Sequence, residues 1–275
     1  MGAATPNGTP AFGSERGDHL AIGILSAVAG YVDAAGFLAL FGLFTAHITG
    51  ELVAAGMEFA GVGTSGVSLR LATIPVFIVS VAATALVARA TRRRGQRPLT
   101  AILGLMTLAL AIFCAVGVAL RSRLEGPDAW AVVLTGAFGV FAMGIQNTLM
   151  RDVLSGLGPT TLMTGNLTRL TMDIVEVVLP EEDVGTGRDA ARRRTEASRR
   201  LGKSATPVVA FLLGTALGGA ATSMFGLWSI ALPAIVIGVL TLSTWLRVRA
   251  PAALPRRAIE LRLEHESVML GDALR

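Results

Sequence analysis

"FTAHITGELVAAGMEF", residues 44–59, is apolar enough for a membrane segment, yet it carries His47, Glu51, Glu58 and a helix-weakening Thr49–Gly50 pair. The surrounding sequence shows how unusual that is. Residues 20–41 read "LAIGILSAVAGYVDAAGFLALF", with Asp33 as the only charge, and residues 71–88 read "LATIPVFIVSVAATALVA". Comparable runs fill 101–120 and 226–246. A hydrocarbon core of about 30 Å takes roughly 20 such residues as a helix. Uncharged runs of this length replace the roughly ten-residue alternation of an outer-membrane barrel. Hydrophobic residues make up 52% of the 275 and charged residues only 16%, at a mean hydropathy of +0.63. A soluble domain carries about a quarter charged residues. The chain therefore reads as an all-α, polytopic helical membrane protein.

Eight apolar segments are expected, at 20–41, 45–63, 71–88, 101–120, 129–150, 159–179, 205–222 and 226–246. Arginine outnumbers lysine 23 to one. Arg89, Arg92, Arg93, Arg94 and Arg97 follow the third segment. A second group, from Arg188 to Lys203, follows the sixth, and Arg247, Arg249, Arg256 and Arg257 follow the eighth. Arginine-rich loops stay in the cytoplasm, so the basic excess is a topology signal and not a nucleic-acid surface. All three basic regions should share one side. Three full crossings between the first and second would separate them, so segments five and six together should cross only once. Segment six holds Asn166, Arg169, Asp173 and Glu176, too polar for a lipid-facing span. A re-entrant or broken helix buried in protein accounts for it.

The opening stretch recurs. "TAHITGEL" (45–52) aligns with "TTLMTGNL" (160–167), so Thr45, Thr49, Gly50 and Leu52 meet Thr160, Thr164, Gly165 and Leu167. At the same offset Glu58 meets Asp173. With one residue inserted, "GYVD" (30–33) meets "GIQN" (144–147), and Asp33 meets Asn147. The reading is an inverted repeat of residues 19–122 and 129–247 with discontinuous or re-entrant helices. Residues 1–18 lack the charged-then-apolar plan of a signal peptide and are expected to be a disordered tail. Residues 248–275 are expected to form a cytoplasmic tail.

"AGYVDAAGFLALFGLFTAHITGE" (29–51) and "GAFGVFAMGIQNTLM" (136–150) with "TTLMTGNLT" (160–168) resemble the YoaK-like family of bacterial membrane proteins, domain of unknown function 1275, over roughly residues 20–250. The resemblance implies a multi-pass inner-membrane protein and carries no activity or substrate. The family pattern reads Thr-Gly-Asn in both halves; here Glu51 replaces the first amide.

Inverted repeats with broken helices place solute and ion sites near mid-depth, at exposed helix ends. The candidate substrate- and ion-binding residues are therefore Asp33, Thr49, Gly50, Glu51, Gln146, Asn147, Thr164, Gly165 and Asn166. His47, Glu58 and Asp173 form a candidate proton relay, since an imidazole titrates near neutral pH. Glu51 and Glu58 are seven apart and share a helix face, as do Asn166 and Asp173. Arg169 and Asp173, four apart, are expected to pair. Cys114, the lone cysteine, reads as a packing residue. No phosphate-binding loop, metal-spaced cluster or nucleophile turn occurs, so no cofactor, metal or enzymatic activity is expected. The leading reading is a secondary transporter of a small solute in the bacterial cytoplasmic membrane, proton- or ion-coupled. Its rivals are a non-catalytic scaffold or partner subunit and an intramembrane lipid-acting enzyme.

The topology has a direct test. With both termini, loop 89–98 and loop 180–204 cytoplasmic, and 64–70 and 121–128 outside, an impermeant thiol reagent added to cells labels a cysteine placed at 125. It leaves one at 95 untouched.

Overall fold

The computed structural model describes residues 15–61, 66–179 and 187–249. Tail residues 1–14 and 250–275, and parts of the loops at 62–65 and 180–186, lie outside the described residues. Eight α-helices follow one another: α1 (Glu15–Ala39), α2 (Ile48–Phe59), α3 (Val67–Arg93), α4 (Pro98–Ala119), α5 (Trp130–Thr148), α6 (Met163–Val178), α7 (Gly187–Phe225) and α8 (Ala231–Arg249). A π-helical turn, Leu149–Val153, extends α5. Helix α1 begins at Glu15, so the last residues assigned to the N-terminal tail are helical.

Five stretches are long and apolar enough to cross a membrane: Gly17–Ala39, Val67–Arg93, Pro98–Ala119, Trp130–Val153 and Arg200–Arg247. This is a polytopic all-α membrane protein. The fifth stretch has 48 residues. As one straight helix it would run about 72 Å, more than twice the hydrocarbon thickness. It instead reverses through Gly226, at φ +57°, and supplies two passes, α7 and α8. Segment two contracts to the 12 residues of α2, about 18 Å of helix, and segment six to the 16 residues of α6. Neither completes a crossing.

Helix directions follow from which residues meet. Gly23 faces Thr206 and Tyr31 faces Gly218, so α1 and α7 run parallel. Helices α3 and α5 are parallel too: the Ser80 hydroxyl donates to the Phe141 carbonyl at 2.6 Å, and Arg92 pairs with Asp152 at 2.9 Å. Phe113 meets Gly139 and Gly117 meets Thr135, so α4 and α5 are antiparallel. Leu43 packs on Gly136, and Gln146 reaches the Leu25 carbonyl, so α1 and α5 are antiparallel. Cys114 meets Leu227 and Thr100 meets Thr244, so α4 and α8 are antiparallel. The six long passes alternate in direction. Helix α2 sits at one end of the bundle, with the 120–129 loop. Helix α6 sits at the other, with loop 94–97 and the arginine-bearing start of α7. All the described basic regions therefore share one end, as the charge pattern predicts.

Lipid tails give helices no hydrophobic reason to associate, so close approach of small residues holds such bundles together. A Cβ on Gly214 would lie 2.0 Å from the Ala27 carbonyl oxygen, and one on Gly218 2.4 Å from that of Tyr31. At the α4–α8 crossing the small residues repeat: Gly104 meets Thr241, Gly238 meets Thr107, and the two threonine hydroxyls share a hydrogen bond of 3.1 Å. The central core is apolar and fully buried, with Leu25, Leu40, Leu43, Met106, Phe113, Met143 and Ile145 at 0% exposure.

Gly214→Leu must push α7 off α1, because the obstructing atoms are backbone. The expected cost is about 3 kcal/mol or more, read as a lowered midpoint of thermal unfolding. Gly202→Ala, with nothing near its would-be Cβ, should leave the midpoint unchanged or raise it.

Candidate functional site

Helix α1 ends at Ala39, and the chain turns through Phe41 (φ 53°) and Gly42 (φ 81°). Residues 43–47 then dip back beside the last turns of α1. Thr45, fully buried, wedges between two glycines: a Cβ on Gly36 of α1 or on Gly139 of α5 would lie 2.8 Å from its methyl. This non-helical stretch is tied to Asp33. One carboxylate oxygen accepts from the Ala46 N–H at 2.8 Å and the Thr45 hydroxyl at 3.3 Å. The other meets His47 Nδ1 at 2.5 Å. Asp33 lies six residues before the end of α1, and the chain folded back over it hides it.

The break comes before the Thr-Gly pair, not at it. His47 is the N-cap of α2, and Thr49 and Gly50 lie inside its first turn. The second half repeats this, with Leu162 as N-cap of α6 and Thr164 and Gly165 in the first turn. No side chain caps either N-terminus. Thr49, Thr164 and Gly165 are exposed. The chain enters α6 through Gly158 at φ +81°, the counterpart of the bend at Gly42.

Polar groups on α5 hold the second bend. Gln146, fully buried, donates from Nε2 to the Thr160 hydroxyl at 2.9 Å and to the Leu25 carbonyl at 2.8 Å. Its Oε1 is buried without a partner. The Thr161 hydroxyl donates to Asn147 Oδ1 at 2.6 Å. Asp33 and Asn147 thus do the same work in the two halves, one as carboxylate and one as amide.

Glu51, at 0% exposure, closes back on the bend seven residues earlier by accepting the Phe44 N–H at 2.8 Å. Asn166 closes its own bend over the same interval, donating to the Pro159 carbonyl at 2.7 Å. Arg70, in the first turns of α3, bonds Glu51 and Glu58, each at 2.9 Å. On α6, Asp173 accepts the Ser204 hydroxyl at 2.5 Å and pairs with Arg200 at 3.4 Å, and Glu176 also pairs with Arg200. The Arg169–Asp173 pair expected from spacing is absent: Asp173 turns toward α7, and Arg169 is exposed with no ion pair among the described residues. Glu58 and Asp173 are anchored to neighbouring helices, which takes them out of a line with His47.

Sequence reading matched Thr45 with Thr160 in the repeat without giving them a site role, and it did not single out Arg70, Thr161 or Ser204. For Arg70 a signal existed. It is an arginine at the arginine-poor end of the bundle, following two carboxylates with no other cation between 19 and 69. For Thr45 and Thr160 the signal was their identity in the repeat, and Thr161 and Ser204 left no comparable trace.

His47 lies outside the five spans and is about a third exposed, with Phe44 and Phe211 edge-on at 6.0 and 5.8 Å. Its hydrogen bond to Asp33 holds the imidazole above its ordinary value, against the opposing effect of burial. A raised folded value means that the pair's contribution is fully present below the unfolded histidine value of about 6.5 and is lost as pH rises through the folded one. Among the described residues no group of three His, Cys, Asp or Glu side chains is placed to hold a metal ion.

The family profile described as Protein of unknown function (DUF1275) matches residues 21–243, and the chain belongs to that family. Comparison with curated proteins and with solved structures returns no significant match.

Removing Arg70 strands two buried carboxylates. Arg70→Ala should cost about 3–5 kcal/mol of stability, and the triple change with Glu51→Gln and Glu58→Gln should recover most of it. A loss under about 1 kcal/mol, typical of exposed pairs, would show that water reaches these groups.

Proposed function

We propose that this DUF1275 member is a secondary transporter of a small polar solute, built from two inverted repeats in the bacterial cytoplasmic membrane. The observation that carries this is the pair of short helices. Helices α2 and α6 lie at opposite ends of the bundle, and each is preceded by a non-helical stretch bonded to a polar side chain of α1 or α5. Irregular backbone at membrane depth occurs where protein covers it or where it lines a path, and transporters use paired helices of this kind around their sites.

Repeat symmetry accounts for the packing. A two-fold axis in the membrane plane exchanges α1 with α5, α3 with α7 and α4 with α8. It turns the parallel α1–α7 contact into the parallel α5–α3 contact. It also turns Gly104–Thr241 into Gly238–Thr107, with the Thr107–Thr241 hydrogen bond on the axis. Each half makes three passes, an odd number, so the halves are inverted. The arginine-rich end faces the cytoplasm, and both termini lie there.

The solute site centres on Gln146 and Asn147. Gln146 Oε1 is a fully buried acceptor with nothing bonded to it, and a buried acceptor without a partner costs about 1–3 kcal/mol. A solute donor would recover that energy. One observation favours the scaffold reading: the carboxylates of Asp33, Glu51 and Glu58 each have a partner in the resting fold, as a purely structural polar frame would require.

A thermal-shift screen of polar solutes against purified protein, followed by uptake of the hits into proteoliposomes, separates the two. Under transport, Gln146→Leu lowers uptake at least tenfold and abolishes the thermal shift. Under the scaffold reading no solute shifts the midpoint, and Gln146→Leu lowers stability by about 1–3 kcal/mol, because the Thr160 hydroxyl and the Leu25 carbonyl lose its Nε2 donor.

A further inference from the structure

The two halves use the same backbone plan with different chemistry at one point. Asn147 of the second half receives only the Thr161 hydroxyl on its side-chain oxygen. Asp33 receives the Ala46 N–H, the Thr45 hydroxyl and His47. The second half has Leu162 where the first has His47. A titratable unit therefore exists in one repeat only.

Its geometry determines its chemistry. Asp33 Oδ1 accepts a backbone N–H and a hydroxyl. Oδ2 meets His47 Nδ1, and an imidazole bonded there to a carboxylate, which only accepts, carries its proton on Nδ1. That leaves Nε2 as the atom that gains and loses a proton, and it has no hydrogen-bond partner among the described residues. The ring is about a third exposed, while Asp33 is 6% exposed in its side chain. The imidazole is bracketed by the rings of Phe44 and of Phe211 on α7. The charged groups around the unit are Asp33 on α1, Glu51 on α2 and Arg70 on α3. The last two bond each other, and Glu51 also holds the Phe44 N–H. The element packed from α7 presents Phe211, which does not titrate.

We infer that His47 Nε2 is the proton-binding site of this protein, that Asp33 is its positioning residue, and that the proton held there is the coupling ion. The coupling role rests on the transporter reading, and the proton site does not. Binding is a simple transfer: hydronium gives its proton to the Nε2 lone pair and leaves as water, and the added charge is balanced by Asp33. Glu51, one of the ion-binding candidates from sequence, is the structural partner of Arg70.

The test has two arms. In the first, full-length protein carrying nitrogen-15 histidine is titrated in nanodiscs by nuclear magnetic resonance between pH 5 and 9. There are three histidines, His19, His47 and His265, and His47→Gln identifies the signal. The expected result is a neutral form protonated on Nδ1 and a midpoint above the ordinary histidine value. Asp33→Asn should lower the midpoint by about one unit or more, and Glu51→Gln should move it less. A neutral form protonated on Nε2, or a midpoint that Asp33→Asn and Asp33→Glu both leave in place, overturns the site. In the second arm, accumulation of a screened solute under an imposed pH gradient should fall at least tenfold in His47→Gln. Wild-type accumulation in that variant overturns the coupling role while the first arm still decides the site. Failure of any solute to accumulate in the wild type overturns the transporter reading alone.

Discussion

A backbone that leaves the helix where protein buries it must find other partners for its N–H and C=O groups, because water no longer serves them. This chain does so twice, at 40–47 and at 154–162, and the rest of the fold is arranged around those stretches. The Asp33 carboxylate holds the first by the Ala46 N–H, Gln146 and Asn147 hold the second by the Thr160 and Thr161 hydroxyls, and Glu51 and Asn166 close each loop onto its own helix. A charge inside a span costs about 2.5–3.5 kcal/mol or more. Asp33 is tolerable because it is enclosed by donors and covered by the returning chain.

That arrangement also accounts for the glycines. The returning stretch needs room, which Gly36 and Gly139 supply around Thr45. The outer passes must grip the central pair tightly, which Gly214 and Gly218 allow on α7 and which Gly144, packed beneath Ser80, allows on α5. Helices α1 and α5 are the most enclosed of the passes, with 67% of each span's window buried, against 22% for α3 and 33% for the stretch holding α7 and α8. Polar function concentrated on α1 and α5 is therefore shielded from lipid by the small-residue contacts of α3 and α7.

The membrane class, the eight segments and the gathering of basic regions at one end were legible because each rests on composition summed over many residues. The incomplete crossings were legible as a conflict: the arginine pattern could not be reconciled with eight full passes. The Thr-Gly repeat pointed to the right neighbourhoods but to the wrong atoms. The break falls some residues earlier, because the backbone freedom used is that of Phe41, Gly42 and Gly158, and no pattern distinguishes those from other loop residues. The partner of Asp173 was misjudged for a different reason. Spacing along one helix proposed Arg169, while a neighbouring helix supplied Ser204 and Arg200, and contacts across 27 or 31 positions leave no local signature.

The difference between Glu51 and Asn166 is explained at the same level. The residue at this position in each motif must bond the backbone seven positions earlier. In the second motif that residue is Pro159, which has no N–H. The only group on offer is its carbonyl, and a carbonyl needs a donor, so Asn166 presents its amide Nδ2. In the first motif the residue is Phe44, whose N–H needs an acceptor, and a carboxylate is the stronger one. A fully buried carboxylate then needs a counter-charge, which Arg70 provides at the end of the bundle where arginine is otherwise scarce. Glu51, Phe44 and Arg70 are thus one linked choice, and Asn166 with Pro159 is the other solution to the same constraint. The charge at residue 51 follows from which backbone atom the bend exposes. The imidazole of His47, one turn earlier, bonds Asp33 at the position where the second half carries Leu162.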